Sequence, residues 1–290
     1  PRSLRINSDA DMLWAVSEFK WAGDGSEGDP FIVTGLVIDS LGLDENALFI
    51  GNVTYSFVVT GNDLSNAGPS GSWTDARSAS LYIYNCDGAS VSNNRLWGSL
   101  FGLCLMGCSE ISVDDNLVEL NDYAGIVVLS GCQFISIENN TVEGNWGTYC
   151  IWVKGAAFVR MANNTLGSAS NAVTVEDDGM ISSSFIIFRD NDIDDVWNGL
   201  VLFNVMDAIA VNNTFTNIDP SNSEAAIGVY SGQEMEISGN TIVDGWYGIY
   251  LCGPTHVLLE NNSISVDNIG VYMEYATNIY LANGSVSADT

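Results

Sequence analysis

The chain has 290 residues and a mass of 31.1 kDa, and 36 acidic against 8 basic residues leave a net charge of −28. Only 15% of it is charged while 47% is apolar, which excludes a disordered chain. Two lysines, Lys20 and Lys154, and a few arginines cannot neutralise a phosphate track or dock on an anionic membrane, and no apolar run reaches the roughly 18 to 20 residues of a membrane span, so nucleic acid and membrane insertion are excluded.

The chain opens at Pro1 with no initiator Met and no visible signal peptide, which predicts a processed, exported protein or a trimmed one. Ser8 is placed to cap a helix over residues 8–20, with Asp11 at its third position and Met12, Leu13, Val16 and Phe19 at helical spacing. The turn-rich stretch 23–30 then hands over to strands near 31–38 and 48–59. Residues 1–30 therefore read as an N-terminal cap and residues 31–290 as a single solenoid domain.

From there one short pattern returns: alternating apolar residues, then Asn-Asn or a close variant, then another apolar residue. Val91-Ser-Asn-Asn94-Arg-Leu96 and Ile137-Glu-Asn-Asn140-Thr-Val142 are examples. The markers are Asn62, Asn94, Asn116, Asn140, Asn164, Asn191, Asn213, Asn240, Asn262 and Gly284, at spacings of 32, 22, 24, 24, 27, 22, 27, 22 and 22. A Gly-apolar-any-apolar element starts eight residues after several markers, as at Gly102, Gly199, Gly248 and Gly270. Such a period holds two or three short strands and has no room for a helix. It is too short for a propeller blade and lacks leucine-rich spacing. An all-β parallel β-helix remains, with about eleven coils and a length of about 50 Å at the ladder spacing of about 4.8 Å.

The marker asparagines are expected to take the left-handed conformation at a tight turn and to ladder their amides from coil to coil. Cys86, Cys108 and Cys132 each precede a marker by eight residues and are expected to stack as buried thiols. Cys104 and Cys150 are expected to share a second column, and Cys252 has no counterpart. Asn52, Asn139, Asn163, Asn212, Asn261 and Asn283 lie in Asn-x-Ser/Thr acceptor sites, although turn geometry alone explains the recurrence of Asn-Asn-Thr.

The Asn-Asn-Thr coils, and the entry Gly23-Asp-Gly-Ser-Glu-Gly-Asp-Pro-Phe-Ile-Val33 after a short helix, resemble the right-handed parallel β-helix repeat proteins of archaeal cell surfaces, those of methanogens especially. The resemblance spans nearly the whole chain. It implies a right-handed β-helix, a cell-surface location of the surface-layer or sheath type, and little about activity, because one scaffold serves many functions.

Other parallel β-helices cleave pectin, so the acidic pairs Asp114–Asp115, Asp177–Asp178 and Asp194–Asp195 are candidates for two-carboxylate chemistry. Neighbouring strand residues point to opposite faces, however, and the pairs fall mainly at turns. The sole histidine, His256, is not in the Gly-His-Gly setting of the related hydrolases, and Arg77, Arg95, Arg160 and Arg189 form no lyase-like motif. Asp24, Glu27 and Asp29, or Asp190, Asp192, Asp194 and Asp195, are candidate calcium ligands; no other cofactor is expected. Trp73, Trp97, Trp146, Trp197 and Trp246 follow the marker turns and read as packing or as a sugar-binding stripe. The expectation is a non-enzymatic structural protein of the cell surface. Its rods assemble with copies of themselves into a layer, sheath or filament, with cell-surface glycans as further partners. The alternative is a secreted carbohydrate-binding or carbohydrate-cleaving β-helix.

Overall fold

Period-two alternation points one apolar set inward along each short strand, and stacking the coils joins these sets into a continuous core. The computed structural model describes residues 2–43, 45–68, 78–145, 147–219 and 224–288. It is an all-β parallel solenoid in which three faces are sheets of strictly parallel strands, eleven strands per sheet among the described residues. Sheet I contains Leu4–Ile6, Ala79–Tyr84, Phe101–Met106, Ala124–Leu129, Tyr149–Lys154 and Tyr247–Cys252. Sheet II contains Ser109–Asp114, Gln133–Glu138, Ala157–Ala162, Ser184–Arg189 and Thr255–Glu260, and sheet III the short strands such as Leu117–Glu119 and Thr141–Glu143. Three long strands, Thr165–Glu176, Asp192–Val211 and Ala225–Ser238, turn corners without a break and serve more than one sheet.

The interior is one cluster running from Leu4 to Val266, with Phe57, Phe188 and Phe215 among its largest buried side chains. Some inward positions on sheet I must be small. A Cβ on Gly199 would stand 2.3 Å from the Ala226 carbonyl oxygen, and one on Gly248 2.5 Å from that of Gly270.

The helix runs over Asp9–Phe19, with Ser8 Oγ accepting from the Asp11 N–H at 3.2 Å and Lys20 closing it in the left-handed conformation. Met12 and Ala15 face the core and Val16 and Phe19 pack partly buried against it, whereas Leu13 is 48% exposed, so of the expected stripe only Leu13 turns outward and Ala15 takes its place. The segment before the helix also contributes: Leu4 and Ile6 alternate with Arg5 and pair with Leu48 and Ile50 at the end of sheet I.

At the corner between sheets II and III the two asparagines of each marker divide the work. The first, such as Asn93, Asn139 or Asn163, takes φ of 54–56° and is exposed. The second, such as Asn94, Asn140 or Asn164, is buried and carries the amide ladder. The marker asparagines are therefore not the left-handed residues. That conformation falls one position earlier, where Gly61, Asp115, Asp190 and Gly239 substitute freely for Asn.

Candidate functional site

The outward phase of the sheet I strands is aromatic. Phe49, Tyr82, Trp152, Tyr250 and Tyr272 occupy one outward column, in register through Cys104, Val127, Thr174, Val201 and Gly228. Tyr84, Phe203 and Tyr230 lie in the column beside it. The rings contact one another along the axis: Phe49–Tyr82 at 5.4 Å, Tyr149–Trp152 stacked at 5.3 Å, Phe203–Tyr230 stacked at 4.8 Å and Tyr250–Tyr272 stacked at 5.2 Å. Phe101, Cys104, Ala124, Val127 and Trp152 form a second small apolar cluster outside the solenoid, with Tyr82, Tyr123 and Tyr149 packed on it. Burial pushes the Tyr149 phenol up to about 12 and raises those of Tyr82 and Tyr123, so these hydroxyls stay protonated and can donate.

Charge enters this face near its middle. Lys154 Nζ donates to Glu176 Oε1 at 3.0 Å, and Trp152 Nε1 donates to the same oxygen at 3.1 Å. The Lys154 ammonium stands 5.4 Å from the Trp152 ring centroid. Trp152 itself is buried beneath Tyr123 and Tyr149, so a sugar ring on this face would rest on the half-buried Tyr149, with the Glu176 carboxylate as acceptor and the Lys154 ammonium as donor beside it, the arrangement of a carbohydrate subsite.

The residues singled out in the sequence are mostly elsewhere. Cys86, Cys108 and Cys132 sit at the corner between sheets I and II on successive coils, with the Cys108 N–H donating to Cys132 Sγ at 3.4 Å and the Gln133 N–H to the Cys108 carbonyl at 3.0 Å. Cys104 and Cys150 do not share a column. Cys104 aligns with Val127 and Trp152, while Cys150 lies beside Gly125, because the corner before Tyr149 is longer than its counterpart before Phe101. Asn52, Asn139, Asn163, Asn212, Asn261 and Asn283 are exposed left-handed turn residues, open to modification.

The carboxylates at the turns are held locally. The Ser26 hydroxyl, and then the Ser26 N–H at 3.0 Å, hold the Asp24 carboxyl below the usual range. Asp190 pairs with Arg189 at 2.8 Å, Asp194 accepts from Thr216 at 2.8 Å and Asn217 at 2.7 Å, and Asp195 accepts from Ser168 at 3.2 Å. Asp29 donates its backbone N–H to Ser26, and Glu27 and Asp192 remain at the surface. No group of three or more His, Cys, Asp or Glu placed to hold a metal occurs among the described residues, so neither candidate calcium set is assembled. Asp178 is fixed by Ser130 at 2.5 Å and the Met180 N–H at 2.8 Å.

Arg95 pairs with Glu119 at 2.6 Å and covers the Trp97 ring, and Trp97 donates to Asp63 at 2.7 Å, so this tryptophan belongs to a surface network on sheet III. Trp197 is 50% exposed on another groove, and Trp246 is half-buried. Trp73, Arg77 and Trp146 lie outside the described residues. Arg160 engages Glu138, and His256 stands 3.6 Å from Glu234 on sheet II. The aromatic face was missed because tryptophan was followed and tyrosine was not. Its signal is the outward phase of Leu81-Tyr-Ile-Tyr84, Ile249-Tyr-Leu251 and Val271-Tyr-Met273.

Residues 27–217 match the family model described as "Periplasmic copper-binding protein (NosD)", and residues 171–289 match the one described as "Right handed beta helix region". No curated protein sequence matches the chain. Among solved structures, the Dettilon tailspike protein superposes with a TM-score of 0.68 at 16% identity, over 91% of this chain and 64% of the tailspike, so the chain spans about two thirds of that protein's length. The AlgE4 A-module of the Azotobacter vinelandii mannuronan C-5 epimerase gives 0.58 at 12% identity over 100% of this chain and 95% of its own. The exopolygalacturonase of Thermotoga maritima gives 0.54 at 10%, over 98% and 88%. These likenesses establish the fold.

They also correct the expectation of a non-enzymatic chain. The scaffold is shared with an epimerase and a polygalacturonase, and with an alginate lyase from Paenibacillus at a TM-score of 0.53 and 15% identity, so this fold gives no ground for a non-enzymatic assignment. Copper, by contrast, does not fit the residues present. Copper sites are built from clustered imidazole, thiolate and thioether groups. Here the one imidazole faces Glu234 and Asn278, and the thiols of Cys86, Cys108 and Cys150 are spent on the carbonyls of Tyr84, Met106 and Gly167 inside the core.

Proposed function

Because the chain belongs to the NosD family and its right-handed β-helix carries three aromatic groups on one outer face, we propose that it is a secreted or periplasmic carbohydrate-active protein that holds a glycan lengthwise along sheet I. The observation that carries this reading is the alignment of these groups, Phe49–Tyr82–Tyr84, Tyr123–Tyr149–Trp152 and Phe203–Tyr230–Tyr250–Tyr272, on one face, with Lys154 and Glu176 beside the middle one. Aromatic platforms take the C–H faces of sugars, and the protonated tyrosines and the Lys154–Glu176 pair supply the hydrogen bonds that orient them. The net charge of −28 disfavours acidic polymers, so the glycan in this reading is neutral.

Binding of neutral glucans and mannans, followed by calorimetry, tests it, with product analysis for cleavage or epimerisation. Tyr149→Ala and Tyr250→Ala should each weaken binding at least tenfold, and Glu176→Gln should remove turnover while leaving most of the affinity. Unchanged affinity in both aromatic variants would sink the reading.

A further inference from the structure

Sheet II carries a groove of its own, about 690 Å³ in volume and within the range of ligand sites, on a different face from the aromatic platform. Two columns of side chains build it. The first is the left-handed position that recurs in eight successive coils of sheet II: Glu110, Phe134, Phe158, Phe185, Asp207, Glu234, His256 and Asn278, all at φ of 55° or 56°. Side chains other than Gly, Asn and Asp rarely hold that conformation, and bulky ones hold it least of all. The second column lies two positions later and brings Ile187, Ile209 and Glu236 outward.

The groove is therefore two-ended. One end is apolar: Phe158 and Phe185 stack at 4.6 Å with their planes 1° apart, both half-exposed, next to Ile187 and Ile209. The other end has three carboxylates on two adjacent coils, since Met206 pairs with Gln233 and Ala208 with Met235 on either side of Asp207 and Glu234, and Ile209 pairs with Glu236. Among the described residues no lysine or arginine pairs with any of the three. Arg160, the arginine in the groove, is engaged by Glu138, Glu236 accepts from Ser238 at 2.6 Å, and Glu234 faces His256 at 3.6 Å. Like charges on neighbouring rungs repel one another, so the site is complementary to a cation with an apolar body.

We propose that this groove binds the amine-bearing sugars of a de-N-acetylated amino-glycan. The sugar's C–H face lies on Phe158, Phe185 and Ile209, and its ammonium sits among Asp207, Glu234 and Glu236. A neutral sugar would leave the carboxylates uncompensated, and a uronate would add a fourth negative charge to them. The proposal takes from the preceding section only that the chain handles glycans, and it concerns a different face.

The test is calorimetric titration with a glucosamine oligomer, its N-acetylated form and an oligouronate, at low and high salt. The glucosamine oligomer should bind at least tenfold tighter than the other two and weaken as salt rises. The double variant Asp207→Asn/Glu234→Gln, which keeps side-chain size, and the separate variant Phe185→Ala should each reduce its affinity at least tenfold. Leu13→Ala, exposed on the N-terminal helix and outside both faces, should leave it unchanged. Absence of binding, an oligouronate bound equally well, or full affinity in the double variant each overturns the proposal. Neutral glycans with Tyr149→Ala judge the sheet I reading independently, so either can fail alone.

Discussion

Asn140 donates twice to a single atom: its backbone N–H and its side-chain Nδ2 lie 2.9 and 3.1 Å from Asn164 Oδ1. The same Nδ2 reaches the carbonyls of Val113 at 2.8 Å and Glu138 at 2.9 Å, so one buried amide ties three coils together. Asn116 makes the same pair of bonds to Asn140.

Asn140→Ala removes these bonds and leaves the Asn116 backbone N–H buried without its acceptor, while Asn116 Nδ2 keeps the Val91 and Asp114 carbonyls, which together should cost about 2–4 kcal/mol. Asn139→Gly, at the exposed left-handed position next to it, should change stability by less than about 1 kcal/mol. Denaturant unfolding of the two variants checks this. Similar losses in both would refute the division of labour between the paired asparagines.

Phe158 holds a left-handed backbone that costs a non-glycine residue about 1–2 kcal/mol, against about 0.5–1.5 kcal/mol returned by each of its two ring stacks, on Phe134 and Phe185. These terms nearly offset, so Phe158→Asn should change stability by less than about 1 kcal/mol. A melting temperature that falls by several degrees would show that the ring is a structural element and not a ligand contact.

Two aspartates should bend the pH–stability curve in opposite directions. Hydrogen bonds from Ser130 and the Ile181 and Met180 N–H groups hold the Asp178 carboxyl below its ordinary 3.8. Its stabilisation is present above that value and is lost as pH falls through the lower, folded one. Asp178→Asn should lower the melting temperature at pH 7, with the difference closing as pH falls through the folded value below 3.8. Burial raises Asp114, so its stabilisation is complete below 3.8 and is lost as pH rises through the higher, folded value. Asp114→Asn should raise the melting temperature at pH 7 and do little in acid. Melts from about pH 2 to 8 compare both variants with the parent.

Five of the six cysteines are buried, and burial pushes the Cys86 thiol up to about 11 and that of Cys150 up to about 12. Cys252 is half-buried. Alkylation of the native protein at pH 8 should modify Cys252 first and the others only on unfolding. Mass spectrometry showing rapid labelling of Cys108 or Cys132 would contradict the packing of that corner.

The fold was legible because the coil period, the paired asparagines and the inward apolar alternation all describe one object. Asn62 to Asn262 mark the corner whose geometry is strictest, and the chain repeats itself most faithfully there. The faces were harder to read, since outward residues such as Tyr82, Trp152 and Tyr250 need not resemble one another to lie in one column. The Cys104–Cys150 misalignment shows the limit of counting: extra residues at one corner, before Tyr149, displace every later position of that coil. The sheet II groove depends on strands joined across the long segments Asp192–Val211 and Ala225–Ser238, where corner turns leave little mark in the sequence.

The shared oxygen of each ladder rung also constrains how such a chain can diverge. A one-residue insertion inside the strand Gln133–Glu138 would carry Asn140 off its rung and turn the strand's inward side chains out. The same insertion at the corner before Tyr149 is absorbed without disturbing Asn140 or Asn164. Length variation is thereby channelled into corner loops and into gain or loss of whole coils. A tandem duplication of 22 residues spanning Asn240 to Asn262 would add one rung to each sheet and extend both outer faces by one step, giving lineages a route to longer ligands without redesign of the core.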